Sequence, residues 1–123
     1  MKLKKSSQQL LDLFDSVLPA DERIERKQMF GYPSAFVNGN MFTGLFEENM
    51  IVKLGDEQRE HWTQNNEAKI FEPSPGRFMK EYIVVPPELM NNIERLKMLV
   101  ESSFNYAVTL NKKVKKVKAK KPK

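Results

Sequence analysis

Apolar residues near the start of the chain recur at helical spacing and then change period. Leu10, Leu11, Phe14, Val17 and Leu18 line one face of a helix, with Ser6 or Ser7 placed to cap its first amides and Pro19 to end it. Residues 20–28 are mostly charged or polar and read as an irregular connection. Met29-Phe30-Gly31-Tyr32-Pro33 then returns to apolar and turn-forming types, as a short strand or bend. Beyond it the apolar runs Ala35-Phe36-Val37, 41–46 and 50–54 alternate with Asn38-Gly39-Asn40 and Glu47-Glu48-Asn49, which predicts a meander of three strands. Asn38-Gly39 is the strongest turn signal, because both residues tolerate the positive φ of a type I′ hairpin. Gly44, inside a strand, points to a bulge or a close contact.

Gly55-Asp56 stops the meander, and Asp56 to Asn65 reads as a short polar helix anchored by Trp62 across one edge of the sheet. Phe71-Glu72-Pro73-Ser74-Pro75-Gly76 is rich in turn formers and reads as a loop. It leads into residues 77–85, whose β-prone Tyr82-Ile83-Val84-Val85 run suggests a central strand. Pro86-Pro87 opens a last helix, in which Leu89, Ile93, Leu96, Val100, Phe104 and Ala107 predict one amphipathic rod of about five turns. The order is helix, three strands, helix, one or two strands, helix. The fold class is therefore α+β, two-layer, with an antiparallel sheet covered by helices.

Length and composition narrow the setting. At 123 residues and 40% hydrophobic the chain has material for one core and no second domain. The absence of cysteine excludes disulfides and thiolate metal sites and suits the cytoplasm. The polar N-terminus and the lack of any run near ~18 apolar residues give the expectation of neither export nor membrane insertion. The net charge of +5 is unevenly spread. Lys112, Lys113, Lys115, Lys116, Lys118, Lys120, Lys121 and Lys123 supply eight positive charges with no acid among them. Residues 1–111 thus carry 13 basic and 16 acidic side chains, a net of 13 − 16 = −3. We expect a folded domain over 1–111 and a disordered lysine-rich tail over 112–123. The tail is the candidate nucleic-acid contact, non-specific because lysine meets phosphate and it has no interleaved aromatics to stack on bases.

Catalytic chemistry finds little support. His61 is the sole histidine and lacks partners for a metal set, the serines lack a nucleophile-elbow context, and five scattered glycines form no phosphate loop. Glu47-Glu48 suits an exposed turn, and Asp56, Glu57 and Glu60 suit the positive end of a helix. No cofactor is expected. Two stretches are candidate partner-binding surfaces. Arg77, Lys80 and Tyr82 follow a loop stiffened by Pro73, Pro75 and Gly76, where Arg77 either pairs with an acid to pin the loop or offers its guanidinium to a partner. Met29 and Phe30 are either core or an exposed apolar contact.

Met29-Phe30-Gly31, the turn at Asn38-Gly39, Met41-Phe42-x-Gly44 and Val52-Lys53-Leu54 resemble the N-terminal domain of the TfoX/Sxy family. Gly76-Arg77-x-Met79-Lys80-Glu81-Tyr82 followed by Val85-Pro86 resembles that domain's second signature, and the likeness covers roughly residues 10 to 105. The resemblance implies a secretion-chaperone-like arrangement of helix, three strands, helix, two strands, helix. It implies a role in bacterial regulation, since named members act on competence genes, as co-activators with the cyclic-AMP receptor protein. Those members carry a further C-terminal helical domain, where this sequence has its lysine run, so an N-terminal domain standing alone is expected.

Together these readings favour a non-enzymatic regulatory or adaptor domain in the cytoplasm, acting on a protein partner, with the tail available to nucleic acid and no role at a membrane. Two alternatives stay open. One is a small enzyme or ligand-binding domain with a site near Arg77, Tyr82 and His61. The other is a plain dimerising module, expected to expose an apolar patch on the sheet or last helix.

Overall fold

The structure is a computed structural model and describes residues 5–64 and 68–110. Helix α1 (Gln8–Val17) starts where the Ser7 hydroxyl accepts from the Leu10 amide at 3.2 Å and stops at Leu18, which is extended before Pro19. Leu10, Phe14 and Val17 are its buried face. Six strands follow: β1 (Glu25–Met29), β2 (Tyr32–Val37), β3 (Asn40–Phe46), β4 (Asn49–Lys53), β5 (Lys69–Ser74) and β6 (Arg77–Val84). They form one antiparallel sheet in the order β1-β2-β3-β4-β6-β5. Helix α2 (Asp56–Gln64) lies between β4 and β5 in sequence and packs on β5 and β6. The expected end of that helix at Asn65 lies outside the described residues.

The fold class is the expected α+β with an antiparallel sheet, and three local readings are corrected. The charged stretch before Met29 includes a strand, β1, paired from Glu25↔Phe36 to Met29↔Tyr32. The supposed loop Phe71–Gly76 supplies most of edge strand β5, with only Pro75-Gly76 as its turn. The last helix is two. A single turn, α3 (Pro87–Met90), is followed by α4 (Ile93–Thr109), which begins where the Asn92 side chain accepts from the Arg95 amide at 3.2 Å. A new cap restarts the helix there, so Leu89 and Ile93 do not share one rod.

Helix α4 lies on β2, β3 and β4, and α1 packs against α4. Leu96, Val100, Phe104 and Ala107 are buried there, and the Phe104 ring meets Phe42 edge-on at 5.3 Å. The register of β2 against β3 slips by one residue at Phe42, since Ala35 pairs with Thr43 but Phe36 pairs with Met41. The Ser103 hydroxyl donates to the Phe42 carbonyl at 2.6 Å, so the helix satisfies backbone that the bulge leaves without a ladder partner. Gly44 marks a close approach: a Cβ there would lie 3.2 Å from the Ser34 Cβ on β2.

The sheet curls. Phe46 on β3 and Phe71 on β5 stand three strand spacings apart, roughly 14 Å on a flat sheet, yet their ring centroids are 5.2 Å apart. Likewise the Tyr82 hydroxyl on β6 reaches past β4 to donate to the Met41 carbonyl of β3 at 2.8 Å. The bend has a local origin. Ile70 pairs with Ile83 but Phe71 pairs with Met79, which leaves residues 80–82 of β6 without a partner on β5. The far end of the β5–β6 hairpin turns inward from that point.

Candidate functional site

The inward turn brings the hairpin's tip towards the opposite end of the sheet, where β1 turns into β2. Phe30 and Gly31 form that turn with φ of 57° and 84°. Both central residues are left-handed, as a two-residue type I′ hairpin requires. Asn38-Gly39 solves the same problem with φ of 54° and 77°, using the residue types that tolerate it. Phe30 does not tolerate it well, and it is 54% exposed. At the other tip Pro75 precedes Gly76 at φ 82°, the placement a type II turn uses, and the Glu72 carboxylate accepts from the Gly76 amide at 2.8 Å. Phe78, just beyond, is 53% exposed.

Between the two tips lies a cleft of about 300 Å3 lined by Phe30, Phe46, Pro73, Ser74, Arg77, Phe78 and Met79. Phe46 makes its base, held by edge contact with Phe30 at 5.7 Å, by Tyr32 at 5.3 Å and by Phe71 at 5.2 Å. The walls are apolar and Arg77 carries the one formal charge of the lining. Among the described residues Arg77 has no carboxylate partner, whereas Arg23, Arg26 and Arg59 hold Asp21, Asp15 and Asp56 at 2.9, 2.8 and 2.5 Å. The acid nearest in sequence, Glu72, binds backbone instead. Of the two readings of Arg77, pinning of the loop therefore belongs to Glu72.

Sequence candidates divide accordingly. Phe30 and Arg77, which lie far apart along the chain, line one cleft. Met29 is partly buried beside it and packs against the core. Lys80 is exposed on β6, on the segment that leaves β5. Tyr82 is buried, and its hydroxyl is committed to Met41. Burial pushes its phenol above the ordinary tyrosine range, with the Glu81 charge adding to the effect. Tyr82 also carries the Lys53 ammonium 4.9 Å over its ring, and that ammonium pairs with Glu81. It is a packing residue and not a surface contact. His61 stands on α2 with its ring edge-on to Trp62, centroids 6.1 Å apart. The cleft that Arg77 lines is lined by neither Tyr82 nor His61, so the three residues of the enzyme reading do not share it. Phe78 and Phe46 were not among the sequence candidates. The available signal for Phe78 was an aromatic two residues past a Pro-Gly turn, where polar types are usual.

A smaller cleft of about 250 Å3 lies between α2 and α4, lined by Trp62, Leu89, Arg95, Met98 and Leu99 among others. Met98 is 67% exposed and Ile93 on the same helix 45%. Among the described residues no group of three or more His, Asp or Glu is placed to hold a metal ion. No helix among them is long and apolar enough to cross a membrane. The lysines of 112–123 lie outside the described residues.

The model of the TfoX N-terminal domain family matches residues 12–107. The match begins inside α1 and ends near the end of α4, so it takes in the whole sheet and both walls of the cleft. A search of curated proteins finds no match.

Proposed function

From the premise that the chain belongs to the TfoX N-terminal domain family, we propose that it is a non-enzymatic regulatory or adaptor domain that docks a protein through the Phe30–Phe78 cleft. The observation that carries the reading is the pair of half-exposed aromatic residues lining one hollow beside an arginine that has no carboxylate partner among the described residues. Large rings of this kind, set on a rigid base, are the usual anchors of protein contacts. Their display also costs stability: Phe30 holds a backbone conformation that suits asparagine or glycine better. In this reading the protein works in the bacterial cytoplasm, in keeping with its lack of cysteine, and the family's competence regulation is the process we assign to it.

The domain immobilised in extract of its own cells is expected to capture a defined protein, and to lose it when Phe78 is changed to Ser. Capture that is indifferent to Phe78→Ser and to Phe30→Asn sinks the reading.

For the lysine run we propose non-specific attachment to nucleic acid. The charge of eight lysines supports it, and full engagement gives a slope of roughly −7 in log affinity against log salt. Deleting residues 112–123 is expected to abolish DNA binding, and unchanged affinity refutes the role. A second reading, a homodimer, is favoured by the exposure of Met98 and Ile93 on one helix. A monomeric mass by sedimentation at working concentration removes it.

A further inference from the structure

The cleft's lining says more about its occupant than that it is a protein. At about 300 Å3 it stands at the low end of the roughly 300–1,000 Å3 of pockets that enclose small ligands, which is room for a side chain or two. Its walls offer ring faces and edges from Phe30, Phe46 and Phe78, the flexible Met79 and the flat face of Pro73. Such a lining takes an apolar side chain and prefers an aromatic one, by edge and face contacts and by sulfur–ring contact.

Charge fixes the rest. A guanidinium presents five donors in a planar fork and keeps its charge at any ordinary pH. Three of the five arginines in the chain are matched by aspartates. Arg77, which lines an apolar hollow, has no such match among the described residues. A carboxylate meeting it there forms a paired, charge-assisted contact at the edge of an apolar surface, where water competes less than on an open face. Residues 1–111 carry a net of 13 − 16 = −3, so this attraction is local to Arg77 and opposed by the field of the body as a whole.

Resting on the docking reading above, we infer that the cleft's occupant is a short acidic peptide segment of a partner protein. It seats one aromatic or large aliphatic side chain between Phe30 and Phe78, and sets a carboxylate from a neighbouring residue on Arg77.

The test uses three ten-residue peptides built on glycine and serine. The first carries phenylalanine flanked by two aspartates, the second phenylalanine flanked by two lysines, and the third the two aspartates with alanine in place of phenylalanine. Each is titrated into the full-length, nitrogen-15-labelled protein while backbone amide shifts are followed. The first peptide is expected to give saturable shifts centred on residues 30, 46 and 77–79, and the other two are not. Arg77→Gln should weaken it about fivefold, the size of one favourable exposed ion pair. Phe78→Ser should weaken it about tenfold or more, as loss of an anchor does. Both side chains are exposed, and the dispersion of the spectrum checks that each variant is folded.

Equal binding of the aspartate and lysine peptides overturns the charge requirement. Equal binding without phenylalanine reduces the site to an anion contact and overturns the proposal. Shifts of the same amides with protein concentration alone make a second copy the occupant, and overturn it too. If no peptide binds while capture from cells still depends on Phe78, the inference fails and the docking reading stands. Capture that ignores Phe78 defeats the docking reading whatever the peptides do.

Discussion

Phe30 allows the contribution of one side chain to be separated into opposing parts. Its left-handed backbone, φ 57°, costs a bulky residue about 1 kcal/mol relative to asparagine. Against that stand the edge contact with Phe46, worth about 0.5–1.5 kcal/mol, and burial of the less exposed half of the ring, worth about 1 kcal/mol. Phe30→Asn loses roughly 2 kcal/mol of contact and recovers about 1 kcal/mol of strain, so it should cost about 1 kcal/mol. Phe30→Ala loses the same contact and keeps the strain, so it should cost about 2 kcal/mol. A phenylalanine in the core would cost about 3–5 kcal/mol instead. Urea denaturation followed through Trp62, the single tryptophan, measures both variants. If alanine proves as mild as asparagine, the turn does not hold Phe30 in the left-handed region. A loss above about 3 kcal/mol for either variant makes the ring a core element.

Tyr82→Phe removes the donor to the Met41 carbonyl and should cost about 1–2 kcal/mol near neutral pH. Because the folded-state phenol is raised above its ordinary 10.0, its contribution is full below pH 10 and is lost as pH rises further. The gap between wild type and variant should therefore close above pH 10, by up to about 1.4 kcal/mol per pH unit. A gap that stays constant to pH 11 contradicts the assignment. Ser103→Ala should cost about 1–3 kcal/mol, since it leaves the buried Phe42 carbonyl at the bulge without its donor. A change within about 0.5 kcal/mol means that the bulge is satisfied in another way. Ser34→Ala should be neutral or stabilise by about 1 kcal/mol, because that hydroxyl is fully buried with no hydrogen-bond partner among the described residues. Clear destabilisation in a melt would reveal a partner for it.

The helices and the central strands were legible because their residues repeat at the period their burial demands. Phe14 and Val17, or Phe104 and Ala107, sit where a helix must face a core. The edges were not legible. β1 reads Glu-Arg-Lys-Gln-Met and is exposed at its first four positions, so no apolar alternation marks it. Charge on an edge strand discourages pairing with other chains, and the same charge hides the strand from a hydrophobicity pattern. β5 was hidden by Pro73, which an edge tolerates because one side of the strand has no ladder to donate to. The helix break at Asn91-Asn92 was masked by Ile93, which keeps the apolar period yet is half exposed. In the cleft, Phe30 and Arg77 were each legible as candidates. Their meeting was not, because it depends on β6 parting from β5 over residues 80–82, and nothing in Lys80-Glu81-Tyr82 announces a bend.

The curl of the sheet ties recognition to cohesion. One wall of the cleft belongs to the β1–β2 turn and the other to the β5–β6 hairpin, the two outermost pairs of the sheet. A segment lodged between them acts as a clasp across the open side of the sheet. Whatever it gains on binding is subtracted from the tendency of the outer strands to fray, in the proportion that ligand concentration bears to its dissociation constant. Amide exchange in β1 and β5 should accordingly slow when the cleft is filled, although a clasp at their tips touches few of those amides directly.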